Sequence, residues 1–194
     1  SHRPEVSEVF RACTRLQPDY DSEHDQRERR ASFCSRKNIL DKLADFQTAP
    51  GSIFSLTHGS DSDAPMGNVL VEGSKVVLAH GVVNLQLPHQ VRAVVEAPAA
   101  MVLVDDRTLQ LDHGRAFFRI DSSEGQGFTV VTPHQRIVDL GTAFGIDSRR
   151  DRDEVELHVL EGMVRVDDPD GGNGEIIKAK RSVLLAGMRV DREL

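Results

Sequence analysis

The sequence predicts an all-β protein: a jelly-roll-like β-sandwich over residues 51–194, preceded by a short N-terminal helical segment and linker over residues 1–50. Three observations carry that prediction. Beyond Pro50, short apolar runs rich in Val, Ile and Leu follow one another with turn signals about eight to twelve residues apart, the spacing of a sandwich or barrel. Several of these runs alternate apolar and polar residues, the period of a strand with one face buried. The breaks between them hold Gly, Pro and Asp, residues that turn a chain for distinct physical reasons. With 194 residues, the chain has room for one full core and a small appendage.

The elements follow in order. Val6, Val9, Phe10, Cys13 and Leu16 fall three or four residues apart, an amphipathic helical pattern that ends near Pro18. Residues 19–30 (DYDSEHDQRERR) are almost wholly polar and read as a solvated linker. A second helix is expected from Ser35 to Phe46, with Leu40, Leu43 and Phe46 on one face. Cys13 and Cys34 permit one internal disulfide, or stand as two reduced apolar side chains; spacing leaves both open. After Pro50-Gly51, strand-like runs occur at 53–56, 69–71, 76–78, 82–87, 91–95 and 101–104, with breaks at Gly73, Gly81, Pro88 and Pro98. Asp112-His113-Gly114 is expected to turn the chain into the run 116–120, and 167–174 (DDPDGGNG) to form a long turn before strands at 176–177 and 183–185.

Residues 127–167 are the most informative stretch. Phe128, Val130 and Thr132 alternate with Thr129 and Val131, and Pro133, which has no N–H to give a ladder, should end that strand. The run 137–140 stops at Gly141, and Thr142, Phe144 and Ile146 resume the alternation. Gly141 and Gly145 interrupt good strand sequence, which predicts a bulge or a close backbone approach. Val155, Leu157 and Val159 lead to Glu161-Gly162, read as the break of a hairpin into Val164 and Val166.

These motifs also carry a resemblance. Gly127-Phe128-Thr129-Val130, Thr132-Pro133, Asp139-Leu140-Gly141-Thr142-Ala143-Phe144-Gly145 and Val159-Leu160-Glu161-Gly162-Met163-Val164 resemble the signature of the FecR domain family. Members are the extracytoplasmic parts of iron-citrate-type transmembrane regulators of sigma factors. The run from Val76 to Leu85 and Glu96-Ala97-Pro98-Ala99 are closest to the branch in Planctomycetes and Verrucomicrobia. The resemblance covers residues 53–194. It implies a periplasmic or cell-surface signalling domain, membrane-anchored through a helix outside this sequence. Such a domain acts by contact with a protein partner, a receptor or the sigma-regulatory machinery, without a cofactor. A cell-surface adhesion or glycan-binding scaffold is the alternative; an aromatic-lined groove with convergent polar groups would favour it.

Composition excludes some classes. The formal charge of −7 argues against direct nucleic-acid binding through non-specific electrostatics. Of eight histidines, none stands in a His-x-His, His-x-x-x-His or HExxH pattern, so a metal site is not expected. Acidic clusters at Asp61 and Asp63, 147–154 and 167–170 match no EF-hand loop and read as turns. Neither a GxSxG elbow nor a phosphate loop occurs. Asp105 and Asp106 sit beside Arg107 in an expected exposed turn, which gives no reason for catalytic tuning. The sequence therefore reads as a non-enzyme.

Overall fold

A computed structural model describes residues 42–58, 67–150, 154–169, 172, 174–186 and 189–193, the last of these as backbone only. The helix expected over 6–16, the linker 19–30, Cys13 and Cys34 lie outside the described residues, as does most of the loop 58–67. Everything below concerns the unit that begins at Leu40.

Among the described residues fifteen strands form: β1 (Ala44–Thr48), β2 (Ile53–Thr57), β3 (Val69–Leu70), β4 (Ser74–His80), β5 (Val82–Leu87), β6 (Val91–Leu103), β7 (Thr108–Ile120), β8 (Thr129–Val131), β9 (Arg136–Asp139), β10 (Ala143–Ser148), β11 (Glu154–Glu161), β12 (Met163–Asp167), β13 (Glu175–Lys178), β14 (Arg181–Ala186) and β15 (Arg189–Glu193). The all-β class is met. Pairing is antiparallel throughout except for β7 with β8.

The organising element is the β6–β7 hairpin, thirteen residues on each side. One edge of β6 serves two partners: β5 along Val91–Glu96 and β4 along Ala99–Leu103. The far edge of β7 does the same, with β8 along Thr108–Gln110 and β10 along Gly114–Arg119. The hairpin thus belongs to two layers. A first layer runs β1–β5–β6–β7–β10–β11–β14–β15, and a second runs β2–β4–β6–β7–β8–β9–β12–β13. The hairpin crosses between them where the β6–β7 register shifts, from Glu96 to Ala100. Pro98 sits in that irregularity, joined to Ala97 by a cis peptide, and a proline costs no ladder bond at such a bulge. Gly114 lies opposite with φ +127°, and a Cβ there would meet the Cα of Ala99 at 2.9 Å. The two expected breaks, at Pro98 and at Asp112–Gly114, are therefore bends inside continuous strands. The true turn is at Val104–Arg107, where Asp105 accepts from the Arg107 N–H at 2.8 Å.

After the hairpin, strands come in pairs that alternate between layers: β8–β9, then β10–β11, then β12–β13, then β14–β15. This corrects the expected hairpin across Glu161-Gly162. β11 pairs with β10 and β14, while β12 pairs with β9 and β13. Gly162 is a corner between layers and not a turn between partners. The helix expected over 35–46 is corrected at its C-terminal end. Ala44 and Phe46 are buried two residues apart with half-exposed Asp45 between them, the strand period, and Asp45–Thr48 pair with β5.

Alternate residues of both layers point into one core. It is centred on Phe118, which stacks on Phe144 with ring centroids 5.2 Å apart and meets Phe128 at 6.0 Å. All three rings are at most 1% exposed, and aliphatic side chains of every major strand pack around them.

Candidate functional site

Asp139, Gly141, Thr142 and Gly162 of the motif stand at corners where the chain changes layer. Gly81 between β4 and β5, Gly141 between β9 and β10, and Gly162 between β11 and β12 all have positive φ. Asp139, fully buried, holds the Gly141 corner. Its Oδ2 accepts from the Gly141 N–H at 2.8 Å and its Oδ1 from the Thr142 hydroxyl. Its own backbone extends the β8–β9 ladder to Gly127 and Phe128, each at 2.9 Å. Burial pushes the Asp139 carboxyl above its ordinary pKa, and the Thr142 and Gly141 hydrogen bonds oppose that rise.

The corners stack. Leu140 donates to the Met163 carbonyl at 3.1 Å, and Ala179, between β13 and β14, donates to the Gly162 carbonyl at 2.8 Å. Thr132 caps the β8–β9 turn: its hydroxyl accepts from the Gln135 N–H at 3.1 Å, and Pro133 is exposed at the tip. Phe144 lies in the core and Glu161 is exposed, 3.5 Å from Arg119. Gly145 stands apart. It sits in a regular ladder with no close backbone neighbour, and the β10–β11 register shift falls at Ala143–Phe144 instead. Gly141 and Gly145, alike in sequence, thus have different roles.

Gly145 leads to a surface that sequence reasoning missed. On the outer face of the first layer, successive rungs of the ladder can be followed across four strands. One rung is Glu96–Arg115–Asp147–Glu156, and the next is Val94–Phe117–Gly145–His158. Two residues further along β6 and β7 lie Arg92 and Arg119, bridged by Asp121. The middle rung is apolar at Val94 and Phe117 and has no side chain at Gly145, so it forms the floor of an open depression of about 380 Å³ between charged walls.

One wall is tightly paired. Arg115 lies 3.2 Å from Glu96 and 3.2 Å from Asp147, and Arg149 reaches Asp147 at 3.4 Å and Glu156 at 3.8 Å. Asp147 and then Glu96 hold the Arg115 guanidinium above its ordinary pKa. His158 shares a hydrogen bond with Ser182 at 2.8 Å through Nδ1. A second depression of about 470 Å³, reaching Pro98, His113 and Arg150, adjoins the first across the Glu96–Arg115–Asp147 ridge. Among the described residues no group of three His, Cys, Asp or Glu is placed to hold a metal ion, and no helix is long and apolar enough to cross a membrane.

Two features mark the fold: a two-layer β domain bent through one long hairpin, and a stacked pair of glycine corners, Gly141 and Gly162, joining its layers. Residues 98–165, from the bend at Pro98 to Arg165 in β12, match the family described as FecR protein, in line with the resemblance of the motifs. Two crystal structures of a proposed anti-sigma factor from Parabacteroides distasonis ATCC 8503, at 2.50 Å and 1.65 Å, have the same fold. Each is 21% identical with a TM-score of 0.51, covering 62% of this chain and 57% of that one. This chain therefore spans a little over half the length of those structures. No curated protein matches it.

Proposed function

We propose that residues 51–194 form the outer, periplasmic or cell-surface signalling domain of a membrane-anchored sigma-factor regulator, which works by binding protein and not by turnover. The observation that carries this reading is the FecR match over residues 98–165, which includes the bend of the β6–β7 hairpin and the Gly141 and Gly162 corners. The likeness to a proposed anti-sigma factor supports it. The means of contact are strand edges. Among the described residues β2 pairs only with β4, and β13 only with β12. β2 has neither charge nor proline in IFSLT, and Ile53 is 63% exposed. An uncharged edge with unpaired backbone groups can accept a partner strand. Tethering of both partners in one membrane would raise their effective concentration enough for a weak contact to act.

The test is genetic. Deleting the coding region for residues 51–194 in the native host should change transcription from the sigma-dependent promoter under regulation. Unchanged transcription under every inducing condition would overturn the proposal.

A further inference from the structure

The depression on the outer face of the first layer is made of ordered parts. Phe117 and Val94 present apolar surface at its floor, with Val94 39% exposed, and Gly145 leaves room beside them. Three inter-strand steps separate Val94 from His158, so the floor is about 14 Å long at ~4.8 Å per step. Its volume of about 380 Å³ falls within the ordinary range for small-molecule sites. The charges on its rim are engaged with one another: Arg115 with Glu96 and Asp147, and Arg149 with Asp147 and Glu156. An anionic or cationic ligand would lie beside a like charge in one of these pairs. A neutral hydroxyl would not, and it still finds partners, because a guanidinium has five N–H donors and a carboxylate about four acceptor sites, and only part of each set is used within a pair.

An apolar floor with one aromatic ring, Phe117, and with donors and acceptors of both kinds held in place by their pairing suits a neutral polyhydroxylated ring. Its C–H face would lie on Phe117 while its hydroxyls reach the rim. We infer that this depression binds a neutral carbohydrate, a short oligosaccharide lying across β6, β7, β10 and β11. The inference goes beyond the signalling reading and stands without it. Transcriptional control tests the one and sugar binding the other, so either can fail alone.

The test uses the full chain, ¹⁵N-labelled, titrated to millimolar concentration with cellotetraose, maltotetraose and chitotetraose, and with tetragalacturonate as the acidic comparison. At least one neutral sugar should perturb the amides of Phe117, Gly145 and His158 in a saturable way. Gly145→Val should lower that affinity at least tenfold. Its φ is not in the left-handed region and its virtual Cβ meets only ordinary contacts near 4 Å, so the melting temperature should stay within a few degrees. Phe117→Ala gives an independent loss of the floor. No shifts with any neutral sugar, shifts confined to other surfaces, binding by the acidic sugar alone, or full affinity in folded Gly145→Val would each overturn the inference.

Discussion

Gly162 lies directly against the carbonyl oxygen of Gly141. A Cβ at Gly162 would overlap that oxygen and come within 2.8 Å of the Thr142 Cγ2, and φ at Gly162 is +72°. One corner of the sandwich is therefore seated on another, and the absence of a side chain at Gly162 permits that approach.

Gly162→Ala should cost more than ~2 kcal/mol, because it adds a clash with rigid backbone to left-handed strain. Gly127→Ala is the control: φ is +87°, but nothing lies within 4 Å of its virtual Cβ, so strain alone, about 1 kcal/mol, should appear. Urea midpoints of the two variants measure the difference, and equal midpoints would show that the stacked corners do not matter.

Asp139→Ala should destabilise by about 2–4 kcal/mol, since it leaves the Gly141 N–H and the Thr142 hydroxyl buried without their acceptor. The pH dependence has a definite sign. Burial raises the Asp139 carboxyl in the folded state, so its favourable contribution is full below the unfolded value of about 4 and declines as pH rises through the higher folded value. The stability advantage of the wild type over Asp139→Asn should therefore be larger at pH 4 than at pH 7 in chemical denaturation. An advantage that grows with pH would mean that the hydrogen bonds outweigh burial.

Phe118→Ala should cost about 3–5 kcal/mol, as expected for a buried ring stacked on Phe144. Phe54, 37% exposed at the β2 edge, meets Phe46 edge-on at 5.6 Å and should lose less than half as much on truncation to alanine. Thermal melts rank the two, and the reverse order would place the core elsewhere.

Arg115→Ala should change stability by no more than about 1 kcal/mol, because its partners Glu96 and Asp147 engage it at an exposed surface where pairing gains little. A larger loss in urea would make the ridge part of what holds β6, β7 and β10 side by side in the first layer.

Much of the strand content was legible because burial writes its period into the chain: Val155, Leu157 and Val159 are buried and their neighbours are not. The corner at Asp139-Leu140-Gly141-Thr142 was legible as a glycine that breaks an apolar run. Which strand lies beside which was not. A glycine after a strand reads the same whether the chain doubles back on its neighbour or passes to the other layer, so Gly162 reads as the turn of a hairpin. Pro98 and Gly114 read as breaks because the bend they share forms across the hairpin, sixteen residues apart along the chain. The Phe117 depression was invisible for the same reason: Glu96, Arg115, Asp147 and Glu156 come from four strands, and only registry makes them one rung.

The alternation of strand pairs between layers has a kinetic consequence. β9 finds β12 only after β10 and β11 have been laid down in the opposite layer, and β7 closes on β10 across two intervening strands. These pairings join residues far apart in the chain, so entropy must be lost over long loops before packing compensates. Such a chain should fold over milliseconds to seconds and not microseconds. During that interval the rim of every unfinished layer is open to other chains, and whatever keeps the protein dilute or chaperoned during that time is part of how it reaches its working form.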